Sequence, residues 1–438
     1  MADVGIAGAG LAGPLLAVYL SRRGHDVTLY ERRPDPRLAG AAGRSINLAL
    51  SARGIDALER VGLADDVMGH GLAMRGRMVH DRSGQLAYQA YSADGSKAIN
   101  SISRHGLNGL LLDAAAKEPG VVLHFEERAA AVVAETGELT LEGPGGRHTA
   151  THEVVIGADG AYSAMREAVV RSERADYHQE HLPWGYKELT IAPDASGGFA
   201  LDPGALHIWP RGGSMMIALP NPDHSFTATL FWPFEGDAGF AGLDTADAVR
   251  ARFDRDYPDA ASRFEDLAGE FARNPVGSLV TVRVWPWVRG RLGLLGDAAH
   301  AIVPFFGQGM NCAFEDVVEL DRCLGETGDD WPAALARYAE RRKPNADAIA
   351  ELALDNFVEM RDKVASPVFR LSKRVEHAIE RWAPDHYDSL YELVSFTTVP
   401  YAEARRRAAA QRRFPANVAA LGAAGAARAT DAVRKVVP

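Results

Sequence analysis

Three glycines near the start of the chain and one later acid are the first residues whose types and spacing could bind a ligand. Gly8, Gly10 and Gly13 follow the pattern G-x-G-x-x-G after an apolar run, and Glu31 lies 18 residues beyond Gly13. Glycines allow a tight turn and let backbone N–H groups approach a pyrophosphate at the positive end of a helix. A carboxylate at Glu31 can bind the ribose hydroxyls of adenosine. The pattern predicts a site for FAD or NAD rather than NADP, because a carboxylate suits an unphosphorylated ribose.

A later stretch, "GDAAHAIVPFFGQGMN", favours FAD over NAD. Asp297 ends an apolar run there, and a helix is predicted to begin shortly afterwards. A flavin offers ribityl hydroxyls to such an acid, and its pyrimidine edge, which becomes anionic on reduction, is stabilised by a positive helix end. A simple NAD dehydrogenase has no need of either feature. The residues predicted to face the flavin from the start of this helix are Gly307, Gly309, Met310 and Asn311.

The elements that must hold these residues alternate between strands and helices. The first 31 residues predict a buried strand, a helix ended by Gly24 and a second strand. The stretch "HEVVIGADGAYSAMREAVV" repeats the order strand, glycine turn, helix. Further helices are predicted over "SARGIDALERVG" and "RHGLNGLLLDAAAKE", and a hairpin is predicted to turn at Ser83 and Gly84. The alternation predicts an α/β fold with a Rossmann-like FAD-binding domain.

The middle of the chain has a different residue pattern. Between about residues 180 and 285, short β-branched and aromatic runs separated by Pro, Gly and Asn predict a mainly antiparallel sheet. The alternation of strand and helix resumes at "RLGLLGDAAH". The flavin domain is therefore predicted to be discontinuous. We predict an FAD-binding domain of residues 1–70, 100–178 and 286–330, a β-sheet substrate domain of residues 71–99 and 179–285, and a helical C-terminal region of residues 331–438. The basic, Ala-rich tail predicts a solvated or frayed helix.

Composition excludes several classes of partner. The 438 residues carry a net charge of -10, which argues against nucleic acid or an anionic membrane as the main partner. The two cysteines, Cys312 and Cys323, form no CxxC or Cys/His cluster, so we expect neither a disulfide framework nor a metal site. No apolar run reaches the roughly 18 residues of a membrane span. We predict a cytoplasmic monomer or homodimer whose partner is a small molecule.

Three motifs in this chain resemble the signatures of single-component flavoprotein monooxygenases that hydroxylate aromatic rings. They are G-x-G-x-x-G, the pair Asp159-Gly160 and the pair Gly296-Asp297, in the same order and at comparable separation. Longer stretches resemble the kynurenine 3-monooxygenase family and are far more specific. These stretches, spread over roughly residues 3 to 402, include "GRSINLALSARG", "MRGRMVHDRSG", "GYKELTI", "LHIWPR", "IALPNPDHSFTATLF", "GDAAHAIVPFFGQGMN" and "NFVEMRDKVASP".

The resemblance implies which residues hold the substrate's amino-acid carboxylate. In that family an Arg in the motif matching "RGRM" and a Tyr after its hairpin bind the carboxylate, and they fall on Arg77 and Tyr91. An Arg fork suits a carboxylate bidentately, and a phenol adds one donor. Further implied contacts come from one helix face, on which residues at i, i+3 and i+4 lie together, and from the motif "VPYAE". These contacts are Asn356, Glu359, Met360 and Tyr401.

The resemblance also implies the apolar walls and further flavin contacts. Met215, Ile217 and Leu219 alternate along a predicted strand and so share one face. By their pattern alone they would be plain sheet core; the resemblance aims them, with Leu206 and Phe231, at the aromatic ring. We interpret Pro304, Phe305 and Phe306 as a dry wall against the same ring. Further predicted flavin contacts are Arg32, Arg44, Arg104 and Asp159.

The function implied by the resemblance is NADPH-dependent hydroxylation of L-kynurenine at ring C3, giving 3-hydroxykynurenine. The implied cofactors are tightly but non-covalently bound FAD, transient NADPH and molecular oxygen, with a flavin C4a-hydroperoxide as the oxygen donor. We assign no catalytic acid or base, and His300 is set aside because some family members place a histidine where this chain has Phe306. Alternatives are a related hydroxylase of a substituted kynurenine or another aromatic acid, a non-oxygenating FAD oxidoreductase and a non-enzymatic FAD redox sensor.

Overall fold

The computed structural model describes residues 1–38, 47–92, 94–171, 174–358 and 389–410. In chain order the strands are β1 (Asp3–Ala7), β2 (Asp26–Glu31), β3 (Asn47–Leu50), β4 (Leu72–Met74), β5 (Gly76–His80), β6 (Leu86–Ala90), β7 (Ile99–Ser103), β8 (Val121–Phe125), β9 (Arg128–Val133), β10 (Glu138–Gly143), β11 (Gly146–Thr151), β12 (Val154–Gly157), β13 (Asp176–Ile191), β14 (Ala205–Pro210), β15 (Met215–Pro220), β16 (Phe226–Pro233), β17 (Gly277–Trp285), β18 (Val288–Arg289) and β19 (Leu292–Leu294).

The helices connect and cover these strands. In chain order they are α1 (Ala12–Arg22), α2 (Ala52–Glu59), α3 (Ala64–Met68), α4 (Arg104–Lys117), α5 (Ala164–Val170), α6 (Ala246–Asp256), α7 (Leu267–Arg273), α8 (Asp297–His300), α9 (Gly309–Thr327), α10 (Trp331–Val358) and α11 (Leu390–Ser395), with short 3-10 turns at Ala261–Arg263 and Pro304–Phe306. Among the described residues, none of these helices combines the length and apolar character that a transmembrane span needs.

A six-stranded sheet in the order β18-β19-β12-β1-β2-β8 forms one half of the molecule. Strand β1 pairs in parallel with β12 on one side and with β2 on the other, and β12 pairs in parallel with β19. Val4 and Ile6 of β1 are fully buried, as expected for a parallel strand covered on both faces. Because β19 is contributed by residues far along the chain, this sheet is discontinuous in sequence, as predicted.

A seven-stranded sheet in the order β17-β13-β16-β15-β14-β5-β6 forms the other half. All its neighbouring strands are antiparallel except β14 and β5, which run parallel. One face carries Trp209, Met216 and Trp232, which are fully buried in a cluster with Phe253 of α6 and Phe271 of α7. These two helices were not predicted, although Val249, Phe253 and Tyr257 recur at helical spacing.

The predicted α/β class, with a discontinuous Rossmann-like domain, an antiparallel sheet and a helical C-terminal part, is confirmed. The first strand–helix–strand unit, the helices α2 and α4 and the hairpin of β5 and β6 lie where the sequence placed them. The domain boundaries stay a prediction. One detail differs from them: β4, inside the predicted substrate domain, pairs with β7 in a separate three-stranded sheet with β3.

Candidate active site

A cavity of about 540 Å³ lies between the two large sheets. Predicted cofactor contacts that line it are Gly8, Gly10, Glu31, Arg32, Arg104, Asp159, Asp297, Gly307, Gly309 and Met310. Predicted substrate contacts that line it are Arg77, Leu206, Met215, Ile217, Leu219, Phe231, Pro304, Phe305 and Phe306. One cavity therefore brings together the two groups of residues that the sequence predicted separately.

The glycines of the first motif fall into two kinds. Gly8 has φ +105°, and a Cβ on it would approach the carbonyl oxygen of Ala158 to 2.5 Å. A Cβ on Gly13 would overlap the carbonyl oxygen of Gly8. Gly10, which lines the cavity, would place a Cβ in open space, with no described atom within 4 Å, and Gly309 at the start of α9 behaves in the same way. Gly8 and Gly13 are required by the protein's own packing, whereas Gly10 and Gly309 leave room for a ligand.

Glu31 stands at the cavity end of β2 with its carboxylate oriented by the backbone. Oε2 accepts a hydrogen bond from the N–H of Ala9 at 3.0 Å, and Oε1 accepts one from the N–H of Arg33 at 3.0 Å. Asn108 of α4, which the sequence analysis missed, donates to the carbonyls of Ala9 and Gly10 at 3.0 and 2.9 Å. An amide within the apolar helix stretch "GLNGLLL" was the available signal. Both ends of the glycine turn are thus held before any ligand binds.

Asp297 and Asp159 have different environments. Asp297 follows Gly296, whose φ of 62° makes the turn after β19, and its side chain is exposed where it lines the cavity. Asp159 accepts hydrogen bonds from Ser163 Oγ at 2.6 Å and from the N–H of Ala164 at 2.7 Å. Burial raises the pKa of the Asp159 carboxyl above its usual value, against these bonds. Asp159 therefore orients the start of α5 at the cavity edge, while Asp297 is free to meet a hydroxyl.

The loop before α9 is tied to α2 and β3. Gly307 has φ 65°, and a Cβ there would lie 2.9 Å from Ala49. Asn311 Oδ1 accepts from the N–H of Ser51 at 3.0 Å, and its Nδ2 donates to the carbonyls of Ala49 and Gly307 at 2.9 Å each. Asn311 is fully buried and does not line the cavity. It holds the turn that presents the helix start.

At the substrate end, Arg77 lies against an aromatic cluster. Its guanidinium carbon is 4.0 Å from the ring centroid of Tyr391 and 5.9 Å from that of Tyr91. The two tyrosine rings stack at 5.4 Å. Arg77 Nε and the Tyr91 hydroxyl are buried and have no hydrogen-bond partner among the described residues. Burial raises the pKa of Tyr91, so its phenol remains a donor. An unpaired buried donor is costly, and a carboxylate bound in the cavity would satisfy the guanidinium of Arg77.

The apolar wall of the cavity consists of alternate side chains of β15 and of Phe305, which packs against two other phenylalanines. Met215, Ile217 and Leu219 share one face, as their spacing predicts, and that face lines the cavity, while Met216 packs into the core on the opposite face. The ring of Phe305 lies 5.1 Å from that of Phe231 and stacks at 4.1 Å on that of Phe357 of α10.

Comparison with known proteins decides the family. A family model described as an FAD binding domain matches residues 1–353. The kynurenine 3-monooxygenase of Salinispora tropica is 47% identical over 414 residues, covering 93% of this chain and 91% of the relative. That of Myxococcus xanthus is 48% identical over 402 residues, covering 91% and 86%. That of Dictyostelium discoideum is 43% identical over 414 residues, covering 92% and 89%. The chain belongs to the kynurenine 3-monooxygenase family.

Solved structures share its fold at lower identity. PqsL of Pseudomonas aeruginosa, in complex with 2-aminobenzoylacetate, has a TM-score of 0.68 at 24% identity and covers 82% of this chain and 97% of its own. A 2-methyl-3-hydroxypyridine-5-carboxylic acid oxygenase has a TM-score of 0.67 at 21% identity, covering 83% and 94%. As a member of the kynurenine 3-monooxygenase family, the chain is an FAD-dependent aromatic monooxygenase, and the prediction of FAD rather than NAD is confirmed.

Several predicted contacts of this family member lie behind the cavity wall or outside the described residues. Tyr401 is fully buried, its hydroxyl donates to Gln308 Oε1 at 2.8 Å, and Arg53 covers its ring at 3.9 Å. Asn356 donates from Nδ2 to the carbonyl of Phe305 at 2.7 Å rather than lining the cavity. Tyr91 and Gly13 also lie behind the cavity wall and do not line the cavity. Arg44, Glu359 and Met360 lie outside the described residues.

Tyr391 is one of the cavity residues that were not predicted from the sequence, and it contacts a predicted site residue. It lies in the short helix α11, lines the cavity and covers the guanidinium of Arg77. The tyrosine predicted from the same C-terminal segment is Tyr401. The available signal was modest: in "LYELVSF" the tyrosine precedes a buried Leu393 and Val394 in a helix with an apolar face.

Proposed function

We propose that this protein hydroxylates L-kynurenine at ring C3 to give 3-hydroxykynurenine, with NADPH as the electron donor and molecular oxygen as co-substrate. The observation that supports this most is the guanidinium of Arg77, which lines the cavity and lies 4.0 Å from the ring centroid of Tyr391. Relatives at 47% and 48% identity bear the name of the same enzyme. The two cysteines are both free and buried, which agrees with a cytoplasmic location.

The protein's contribution to this reaction is binding, orientation and exclusion of water. Bound FAD supplies the activation of oxygen. Arg77 would bind the substrate's carboxylate, with the ring of Tyr91 stacked on Tyr391 behind it, while Phe305 and Phe231 keep the substrate ring in a dry environment. Asp297 and Glu31 would bind hydroxyls of the cofactor. Because the ring amino group already activates the neighbouring carbon, a fixed position next to the flavin and the absence of water are the main requirements.

The direct test is turnover of the purified protein loaded with FAD. We expect kynurenine to accelerate NADPH oxidation and to yield 3-hydroxykynurenine, identified by mass spectrometry. 2-Aminoacetophenone retains the ring, the amino group and the ketone but lacks the amino-acid carboxylate. It should therefore stimulate NADPH oxidation far less. If kynurenine neither binds nor speeds flavin reduction, and a hydroxybenzoate does, the proposal is wrong in its substrate.

Arg77→Ala tests the carboxylate clamp. A charge-assisted hydrogen bond contributes about 1.5–3 kcal/mol, so we expect the Kd for kynurenine to rise by at least ten-fold. Arg75→Ala is the matched control: Arg75 is exposed and donates to the carbonyl of Gly95 at 2.9 Å. Kd values from flavin absorbance titrations should separate the two variants. Equal affinity in Arg77→Ala and Arg75→Ala would remove the role assigned to Arg77.

A further inference from the structure

A buried carboxylate lies directly behind the flavin-facing turn. Asp316 of α9 is fully buried, and its Oδ2 accepts hydrogen bonds from the N–H of Gly296 at 2.9 Å and from His300 Nε2 at 2.6 Å. Its Oδ1 accepts from Arg342 Nε of α10 at 2.7 Å. Gly296 and His300 bracket the short helix that begins with Asp297. One side chain thus holds both ends of the turn that presents Asp297 to the cavity.

The group is an ion-pair cluster rather than a metal site. Burial raises the carboxyl pKa of Asp316, but His300 and Arg342 outweigh it, and the net pKa lies below the usual value. Burial lowers the pKa of His300, but Asp316 and Cys312 outweigh it and hold that pKa well above the ordinary value. His300, Cys312 and Asp316 have their donor atoms within 4.8 Å of one another. Arg342 donates to Asp316 and lies 3.2 Å from Cys312 Sγ, so two of these three side chains already contact a cation supplied by the protein.

The cluster continues to the C-terminal segment of residues 389–410. Arg342 Nη1 donates to Glu315 Oε2 at 2.5 Å, and Glu315 Oε1 accepts from Arg53 Nη1 at 2.7 Å. Arg53 Nη2 donates to the carbonyls of Leu393 and Val399. Tyr391, which backs Arg77, belongs to that same segment. Charges of alternating sign therefore run without a break from the flavin-facing turn to the segment that completes the substrate end.

We propose that Asp316 is a positioning residue of the flavin site, which holds the turn of Gly296 to His300, and that the ion pairs of Arg342, Glu315 and Arg53 anchor it to the C-terminal segment. The inference rests on the proposed flavin chemistry, but its main consequence concerns cofactor binding and needs no kynurenine. Three hydrogen bonds hold the buried Asp316 carboxylate in one position, and through two of them the carboxylate holds the turn in one position as well.

The test is Asp316→Asn, with Asp321→Asn as the matched control. Asp321 lies on the same helix, is partly exposed and pairs with Arg23 at 2.5 Å away from the turn. Titration of the cofactor-free protein with FAD, followed by flavin fluorescence, should give a Kd at least ten-fold weaker for Asp316→Asn and within two-fold of the unaltered protein for Asp321→Asn. At saturating FAD, kcat of Asp316→Asn should remain reduced while KM for kynurenine changes less than two-fold.

A second variant guards against misfolding. His300→Gln removes the charge but keeps an amide that can donate to Asp316, so we expect a smaller loss of FAD affinity, of roughly three-fold. If both Asp316→Asn and His300→Gln bind FAD within two-fold of the unaltered protein, or if only their melting temperatures fall, the positioning role is refuted. If FAD affinity falls as expected but kynurenine is not hydroxylated, the positioning role stands and the proposed substrate is wrong.

Discussion

Residues of one type do different work in this site, and the glycine motif shows it most directly. Gly13 has no space for a side chain, because the carbonyl oxygen of Gly8 occupies the position of its Cβ. Gly10 has that space and an ordinary negative φ, so the protein itself does not require a glycine there. Only a ligand that approaches the backbone closely explains Gly10.

Gly10→Ala and Gly13→Ala should therefore fail in opposite ways. We expect Gly10→Ala to leave the free energy of unfolding of the cofactor-free protein unchanged or raised by up to about 1 kcal/mol, with FAD affinity weakened at least ten-fold. Gly13→Ala should lose roughly 1–3 kcal/mol of stability through overpacking. Urea unfolding without FAD and fluorescence titration with FAD measure the two effects. Normal FAD affinity in Gly10→Ala would contradict the assignment of the pyrophosphate to this turn.

Single-residue prediction from sequence succeeded where local pattern carries the information. The alternation of Met215, Ile217 and Leu219 predicted that the three share one face of a strand, and all three line the cavity, although only the family resemblance indicated which face that would be. It failed at Tyr391, because the position of this residue is set by its contact with Arg77, which lies far away in the sequence. The local signal at Tyr391 is too weak to separate it from Tyr401, and tertiary packing sends Tyr391 to the cavity and Tyr401 behind Gln308.

Among the elements, the parallel pair of β5 and β14 bears most directly on substrate binding. It carries Arg77 beside Leu206 on the cavity face. On its other face His207 Nε2 donates to the carbonyl of Asp202 at 2.9 Å, since a carbonyl can only accept. The Nδ1 of neutral His207 then accepts from His80 Nε2 at 2.8 Å, and His80 Nδ1 lies 2.6 Å from Asp259 Oδ2. A directed chain of hydrogen bonds thus holds the register of the two strands.

This chain makes acid stability depend on His207. Burial lowers the pKa of His207 from 6.5 to about 4. Its neutral form is favoured by folding, so its contribution is complete above pH 6.5 and is lost as the pH falls toward 4. We expect this histidine to remove roughly 2 kcal/mol of unfolding free energy between pH 7 and pH 5. In His207→Asn, the fall in unfolding free energy between pH 7 and pH 5 should be smaller than in the unaltered protein by that amount. Urea unfolding at both pH values measures it.

The exposed His178 provides the control, because His178→Asn should keep the full loss of stability at pH 5. An unchanged pH dependence in His207→Asn would show that other groups carry the acid sensitivity. Several elements were not predicted, among them the sheet of β9, β10 and β11 and the helices α6 and α7. The apolar residues of α6 and α7 are spaced within a polar stretch and pack only against the outer face of the seven-stranded sheet.

For the molecule as a whole, the cavity is the place where the two sheets and the C-terminal segment meet. Its lining includes Gly8 of the first sheet, Met215 of the second and Tyr391 of α11. A ligand that contacts all three must stabilise their arrangement together, because it binds the folded state alone. The sequence predicted which segments meet at the cavity. The contacts among these segments could not be predicted, because they join side chains that are far apart in the sequence and share no local pattern.

Removal of FAD should therefore lower the stability of the entire protein. At a free FAD concentration of 100 times Kd the expected contribution is about 2.7 kcal/mol, and each ten-fold dilution of FAD should remove about 1.4 kcal/mol. Melting temperature measured against FAD concentration, by circular dichroism, tests this with one cooperative transition expected. NAD at equal concentration is the control and should have no effect. A melting temperature raised equally by NAD would contradict the flavin assignment.

The strand order of the first sheet has a consequence for synthesis on the ribosome. Strand β1 leaves the exit tunnel early, but its neighbour β12 and then β19 follow only after residues 154 and 292 have been made. At roughly 5 to 20 residues per second, β1 waits on the order of 15 to 60 s for the strand that brings Asp297. During this time the nascent chain contains the glycine turn, but the side of the cavity that carries Asp297 has not yet been made. We expect cofactor capture to begin only after Gly309 has been made, about two-thirds of the way through the 438 residues.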